Sequence, residues 1–172
     1  MNLSSESVDA AMHDADVRHF NDAVAAGLAG LIAGTVYLLA QTTFTLFIGL
    51  QSASEPIQRI AAILLGPDAA PPPAELSLTI VGMALLIHLP LAFVYGRLIG
   101  RLVRDVRPLA AVAIGAAFGL AMYGLNFELI APEAFPWFEA SRGAITLFDH
   151  ALFGAVAAAA FVLLRRRLHL VP

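Results

Sequence analysis

Four apolar runs constrain this chain more than any other feature. They cover residues 24–50, 76–99, 109–130 and 144–164. A helix needs about 20 mostly apolar residues to cross a hydrocarbon layer roughly 30 Å thick, and each run supplies them. The first run is a little long, which tilting absorbs. None alternates with period two as barrel strands do, and backbone in lipid must satisfy its own hydrogen bonds. The runs are therefore read as helices. Composition agrees: 59% of the 172 residues are hydrophobic and 13% charged, where a soluble domain is about a quarter charged. The expected fold class is all-α: a polytopic membrane protein with four transmembrane helices in an antiparallel bundle.

Three parts are expected: a polar arm over 1–22, a membrane domain over 23–167 and a short tail over 168–172. The arm is acidic and has no basic stretch ahead of the first apolar run, so that run is expected to stay in the protein and not to be a cleaved signal. Val8, Met12, Ala15 and His19 share a helical face only weakly. The arm is read as frayed or lying on the surface.

Arginine placement sets the orientation. Arg18 precedes the first run, Arg97, Arg101, Arg104 and Arg107 lie around the second link, and Arg165, Arg166 and Arg167 follow the fourth run. With both termini cytoplasmic, eight of the ten basic residues lie inside, leaving Arg59 and Arg142 outside. The expected location is a bacterial inner membrane, multi-pass, N-in and C-in.

The first outer link holds Ile57, Ile60, Ala61 and Leu64 at helical spacing, with Gln58 and Arg59 turned elsewhere. That pattern predicts a short amphipathic helix in the outer interface. Gly66 and Pro67 stop it, and Pro71, Pro72 and Pro73 make a stiff extended connector. The second outer link carries Phe135, Trp137 and Phe138. Such aromatics anchor at the headgroup level; the alternative is a cover over the outer mouth.

Each run has a stripe of small residues, the usual mark of close helix contact in lipid. The stripes run through Ala26, Gly30 and Gly34; Ala84 and Ala92; Ala111, Gly115 and Gly119; Gly154 and Ala158. Each stripe continues into polar residues, respectively Gln41, His88, Asn126 and His150, so those side chains are expected to face the bundle. Short second and third links favour neighbouring spans. Counted at about 1.5 Å per residue, Asn126 lies roughly 6 Å from the outer end and His88 roughly 16 Å.

His88, His150, Asp149, Gln41 and Asn126 are the candidate ligand-binding residues. An ionisable group in a span is a functional hypothesis by default, while the plain alternative is a hydrogen bond between helices. For Asp149 three states are open: protonated, paired with Arg142, or reached by water. Glu128 is expected to reach water near the outer end. Two histidines on different spans, His88 and His150, are the residue types that would ligate one b-type haem axially, but their depths differ. No metal or cofactor is identified. With no cysteine there is no disulfide or thiolate site. No nucleotide, zinc-protease or serine-hydrolase motif appears, and no basic stripe points to nucleic acid.

The stretches GLAGLIAGTVYLL, RIAAILLG before prolines, LLIHLPLAFVYG, and a PWF link leading to DHALFG carry a likeness. Together they resemble a group of small uncharacterised bacterial inner-membrane proteins with four helices. The resemblance implies topology and no catalytic residue. The leading expectation is a non-enzymatic accessory or partner-binding component, its partners being the bilayer and a membrane protein or a second copy. The alternatives are a protein that binds or transports a small ligand, proton or metal through the intramembrane polar residues, and a haem-bearing redox subunit.

Overall fold

The computed structural model describes residues 5–48, 52–71 and 75–168. The elements are α1 (Ser5–Ile48), α2 (Glu55–Leu65), α3 (Leu78–Val103), α4 (Pro108–Tyr123), α5 (Ala131–Ala134) and α6 (Ala144–Leu168). A π-helical stretch, Gly124–Ile130, joins α4 to α5, and short 3-10 turns occupy Pro67–Ala69 and Pro136–Ser141. No strand occurs among the described residues. Four helices are long and apolar enough to cross a membrane: Asp16–Phe47 within α1, α3, the continuous Pro108–Ala134, and α6.

The helix ends follow local chemistry. Ser77 caps α3, its Oγ accepting from the Ile80 N–H at 3.2 Å. Pro108 sits in the first turn of α4, where its missing N–H costs nothing. Gly66 ends α2 at φ 91°, a conformation that disfavours a side chain. The polar arm is helical from Ser5, continuous with the first span, instead of frayed. No glycine or proline interrupts residues 5–26, and alanine is frequent there. Of the proline connector, Pro72 and Pro73 lie outside the described residues.

Packing is a row more than a square. α1 and α6 pair along their length, α3 packs on the other side of α1, and α4 packs on α6. α3 and α4, expected as neighbours from their short link, touch at few places. Their backbones are committed elsewhere. A Cβ on Gly30 would overlap the Ala92 carbonyl oxygen, and one on Gly154 would overlap the Gly115 carbonyl oxygen. Glycine thus lets α1 meet α3, and α4 meet α6, backbone to backbone. Ile99, Val103 and Phe161 fill the core beside these seams.

Each end of the row is tied. At one end the Arg165 guanidinium bonds Asp22 Oδ1 at 2.9 Å and the Arg104 carbonyl, while Arg104 Nη1 meets His19 Nδ1 at 3.2 Å. At the other end α2 docks on α3 through Ala61, Ile80 and Ala84. The predicted apolar face of α2 is kept at Ala61, which is fully buried, and at Ile57 and Ile60, which pack beside it. The departures are Gln58 and Arg59, which are 2% and 5% exposed, and Leu64, which is 54% exposed. The reason lies in the partners. Arg59 bonds Glu55 Oε2 at 2.6 Å and Ser141 Oγ at 3.0 Å, and its carbonyl accepts the Trp137 indole N–H at 3.1 Å. Burial pulls the Arg59 guanidinium below its usual range, with Glu55 acting in the opposite direction.

Candidate functional site

Between α3 and α4, at the α2 end, lies a cavity of about 380 Å³. It exists because the two helices diverge there while α1 and α6 stay paired behind. Both flanking helices are irregular at this level. In α3, Pro90 has no N–H to offer the Leu86 carbonyl, which loosens the ladder two residues after His88. In the other wall the π-helical stretch adds a residue to the turn, and such insertions recur at functional sites. It lets Asn126 face the cavity while Phe127 is buried beside it.

Three of the five candidate residues meet in this cavity: His88, Asn126 and His150. Each imidazole is fixed by a backbone carbonyl. His88 Nε2 donates to the Gly34 carbonyl on α1 at 2.9 Å. Gly34 permits this approach, since a Cβ there would stand 3.1 Å from the same nitrogen. His150 Nδ1 donates to the Thr146 carbonyl, one turn earlier on α6, at 2.8 Å. A carbonyl only accepts, so the bonded nitrogen carries the proton. In a neutral ring the other nitrogen, Nδ1 of His88 and Nε2 of His150, is then an acceptor.

Tyr37 joins the two histidines. Its ring stacks on His88 with centroids 5.7 Å apart and meets His150 edge-on at 5.2 Å. Tyr123 and Phe127 add edge contacts to His150 at 5.7 and 5.4 Å. Tyr37 was not among the candidate residues. Its signal was available: it lies three residues after Gly34, on the stripe that leads to Gln41.

Gln41 and Asp149 stand apart from the main cavity. Gln41 borders a second space of about 30 Å³ with Arg59, Ser141 and Thr146, large enough for water. Its Oε1 is buried with no hydrogen-bond partner among the described residues. Asp149 is 0% exposed, and neither carboxylate oxygen has a partner among the described residues. Adjacent residues on a helix point about 100° apart, so His150 faces the cavity and Asp149 does not. Asp149 has no exposed surface, and it is not paired with Arg142, which bonds Glu139 and Glu128 instead. Glu128 is exposed beside Arg142, as its position near the end of the run predicts.

The cavity is mostly apolar. Ile60 and Ile63 of α2, with Phe135 and Phe138 of the last link, cover it at the α2 end. The aromatic link thus acts as a cover, and Trp137 is turned onto α2 by its bond to Arg59. At the opposite end Tyr95 packs edge-on against Phe118 at 6.2 Å and Phe153 at 6.5 Å, closing the floor. Among the described residues no three His, Cys, Asp or Glu side chains group as a metal site. The arrangement is an apolar chamber whose walls offer two imidazoles, from α3 and α6, and one carboxamide from the π-helical stretch.

Compared with known protein families, curated proteins and solved structures, the chain matches none.

Proposed function

We propose that the chain is a multi-pass bacterial inner-membrane protein that binds a small, largely apolar molecule in the chamber between α3 and α4. The single observation that carries this reading is the convergence of Tyr37, His88, Asn126 and His150, from four spans, on one cavity. Polar groups used only to join helices need no cavity between them. Binding pockets typically combine an apolar wall with a few placed polar groups, and cavities of 300–1,000 Å³ are usual. The reading is of binding or transport, not of catalysis.

In the proposed topology both termini are cytoplasmic, successive spans run antiparallel, and α2 with the aromatic link lies at the outer face. Eight arginines on one side support it. So do the contacts of Arg104 with His19 and of Arg165 with Asp22, which join the N-terminal arm, the second link and the C-terminal end.

A second reading has its own observation. The bond from His88 to the Gly34 carbonyl crosses between helices, as a joining residue would. Under it the chain is a non-enzymatic accessory component, acting with a membrane partner or a second copy. The haem alternative is not carried further, because Nε2 of His88 is engaged by that carbonyl.

Native mass spectrometry of protein released gently from its own membrane separates the two. The binding reading expects added mass on each chain, lost when Ile130→Trp fills the chamber. It fails if wild-type and variant carry the same mass. For His88→Leu the joining reading expects about 0.6 kcal/mol of lost stability and nothing else. The binding reading expects the added mass to fall as well.

A further inference from the structure

We infer that the ligand is a lipid-soluble molecule with a hydrogen-bond-donating head, typified by a hydroxyl, which enters sideways from the bilayer between α3 and α4. This rests on the binding reading above and adds its chemistry and its route.

The route follows from which walls are closed. α1 and α6 form the back, with Tyr37 and His150 at its centre. Phe135 and Phe138 cover the α2 end. The Tyr95, Phe118 and Phe153 rings close the opposite end. The remaining side is the slot between α3 and α4, whose packing is sparse. Leu91 on α3 and Ile130 on the π-helical stretch border the cavity and are both exposed. Exposed apolar side chains on spans face acyl chains, so the slot opens into lipid. A molecule that arrives there must already be dissolved in the bilayer.

The head chemistry follows from the bonds already made. Each imidazole has given its donor to a backbone carbonyl. What each has left is an acceptor nitrogen, and two unfilled acceptors in an apolar wall favour a donor between them. Asn126 both donates and accepts. The hydroxyls of Tyr37 and Tyr95 rotate to serve either role, so the imidazoles decide. A hydroxyl donates to an imidazole while accepting from the carboxamide. An ether, ester or ketone of the same size leaves both imidazoles unpaired.

The test uses the full chain in phosphatidylcholine nanodiscs with a long-chain alcohol bearing a diazirine in its tail. Photolabelled peptides are mapped by mass spectrometry, with decanol or decyl methyl ether as competitor. We expect label on the α3 and α4 residues that border the slot. Decanol should displace it at about tenfold lower concentration than the ether, the worth of one well-made hydrogen bond. His150→Phe should keep the label and weaken the preference, with His88 left as the one imidazole acceptor. Leu91→Trp and Ile130→Trp should each prevent labelling. If the chamber is labelled and both competitors act equally in the wild type, the donor-head inference is wrong and the binding reading stands. If label persists in both tryptophan variants, lateral entry is wrong. If no label reaches the chamber, the binding reading falls too. The wild-type competition ratio needs no variant, so a misfolded His150→Phe does not rescue the inference.

Discussion

The two ends of this helix row are built from the same stripes but pack in opposite ways. Toward the end held by Arg104 and Arg165, the stripes present Ala26, Gly30, Gly96, Gly115 and Gly154. Backbones touch there and no space remains. Toward the α2 end α1 and α4 carry Tyr37 and Tyr123 instead, α3 carries His88, Phe127 lies alongside, and a chamber opens beyond the Tyr95 and Phe153 rings. The change from small to aromatic residues along one face converts a seam into a prop. Lipid supplies no hydrophobic force between helices, so residue size at the contact sets their separation. The tight end positions α1 against α3 and α6 against α4. The wide end uses that rigidity to hold two histidines around one tyrosine.

Breaking the tight end should have the largest effect. Gly115→Leu drives a side chain into the Gly154 carbonyl and should cost about 3 kcal/mol or more, seen as a lowered midpoint in thermal unfolding. If it is tolerated with less than a third of that loss, the seam is not what fixes α4. The boundary between the ends is probed by Asp149→Leu. The native carboxyl is fully buried without a partner among the described residues, so replacing it with an apolar side chain of similar volume should stabilise the fold by about 1–3 kcal/mol. A loss of stability instead would mean that a bound cation or water partners it.

The cover is tested by Trp137→Phe. Losing the indole bond to the Arg59 carbonyl should cost about 1 kcal/mol and speed amide exchange in α2, while amides of α1 and α6 near the glycine seams keep their protection. Equal acceleration at both ends would contradict the division drawn here. Arg142→Gln should be the mildest change. Its ion pairs with Glu128 and Glu139 are exposed, and such pairs contribute little. The unfolding midpoint should not move measurably.

Several of these features were legible in the sequence. Run length gave the spans, because bilayer thickness imposes a minimum. Four-residue spacing gave the seams and turned His88, Asn126 and His150 inward. Periodicity assigns a face, however, and does not say what fills it. That is why Gln41, which shares the stripe of the first span, looked equivalent to His88 yet lies outside the chamber, while Asp149 was a candidate only as an acid within a span. It is also why Tyr37 passed as ordinary packing. The burial of Arg59 could not be read from periodicity, because its partners Glu55, Ser141 and Trp137 come together only in three dimensions. The sparse contact of α3 with α4 depends on competing contacts that a link length cannot weigh.

The unbroken course of α1 has a mechanical consequence. Its 44 residues extend about 66 Å at 1.5 Å each, more than twice the hydrocarbon thickness of about 30 Å. The helix runs from Met12 to Tyr37 with no interruption of its helical backbone. Torque applied to the polar arm turns the helix as one body. It moves the carbonyl that steadies one imidazole and the ring that touches both. Whatever grips the arm holds a handle on the chamber.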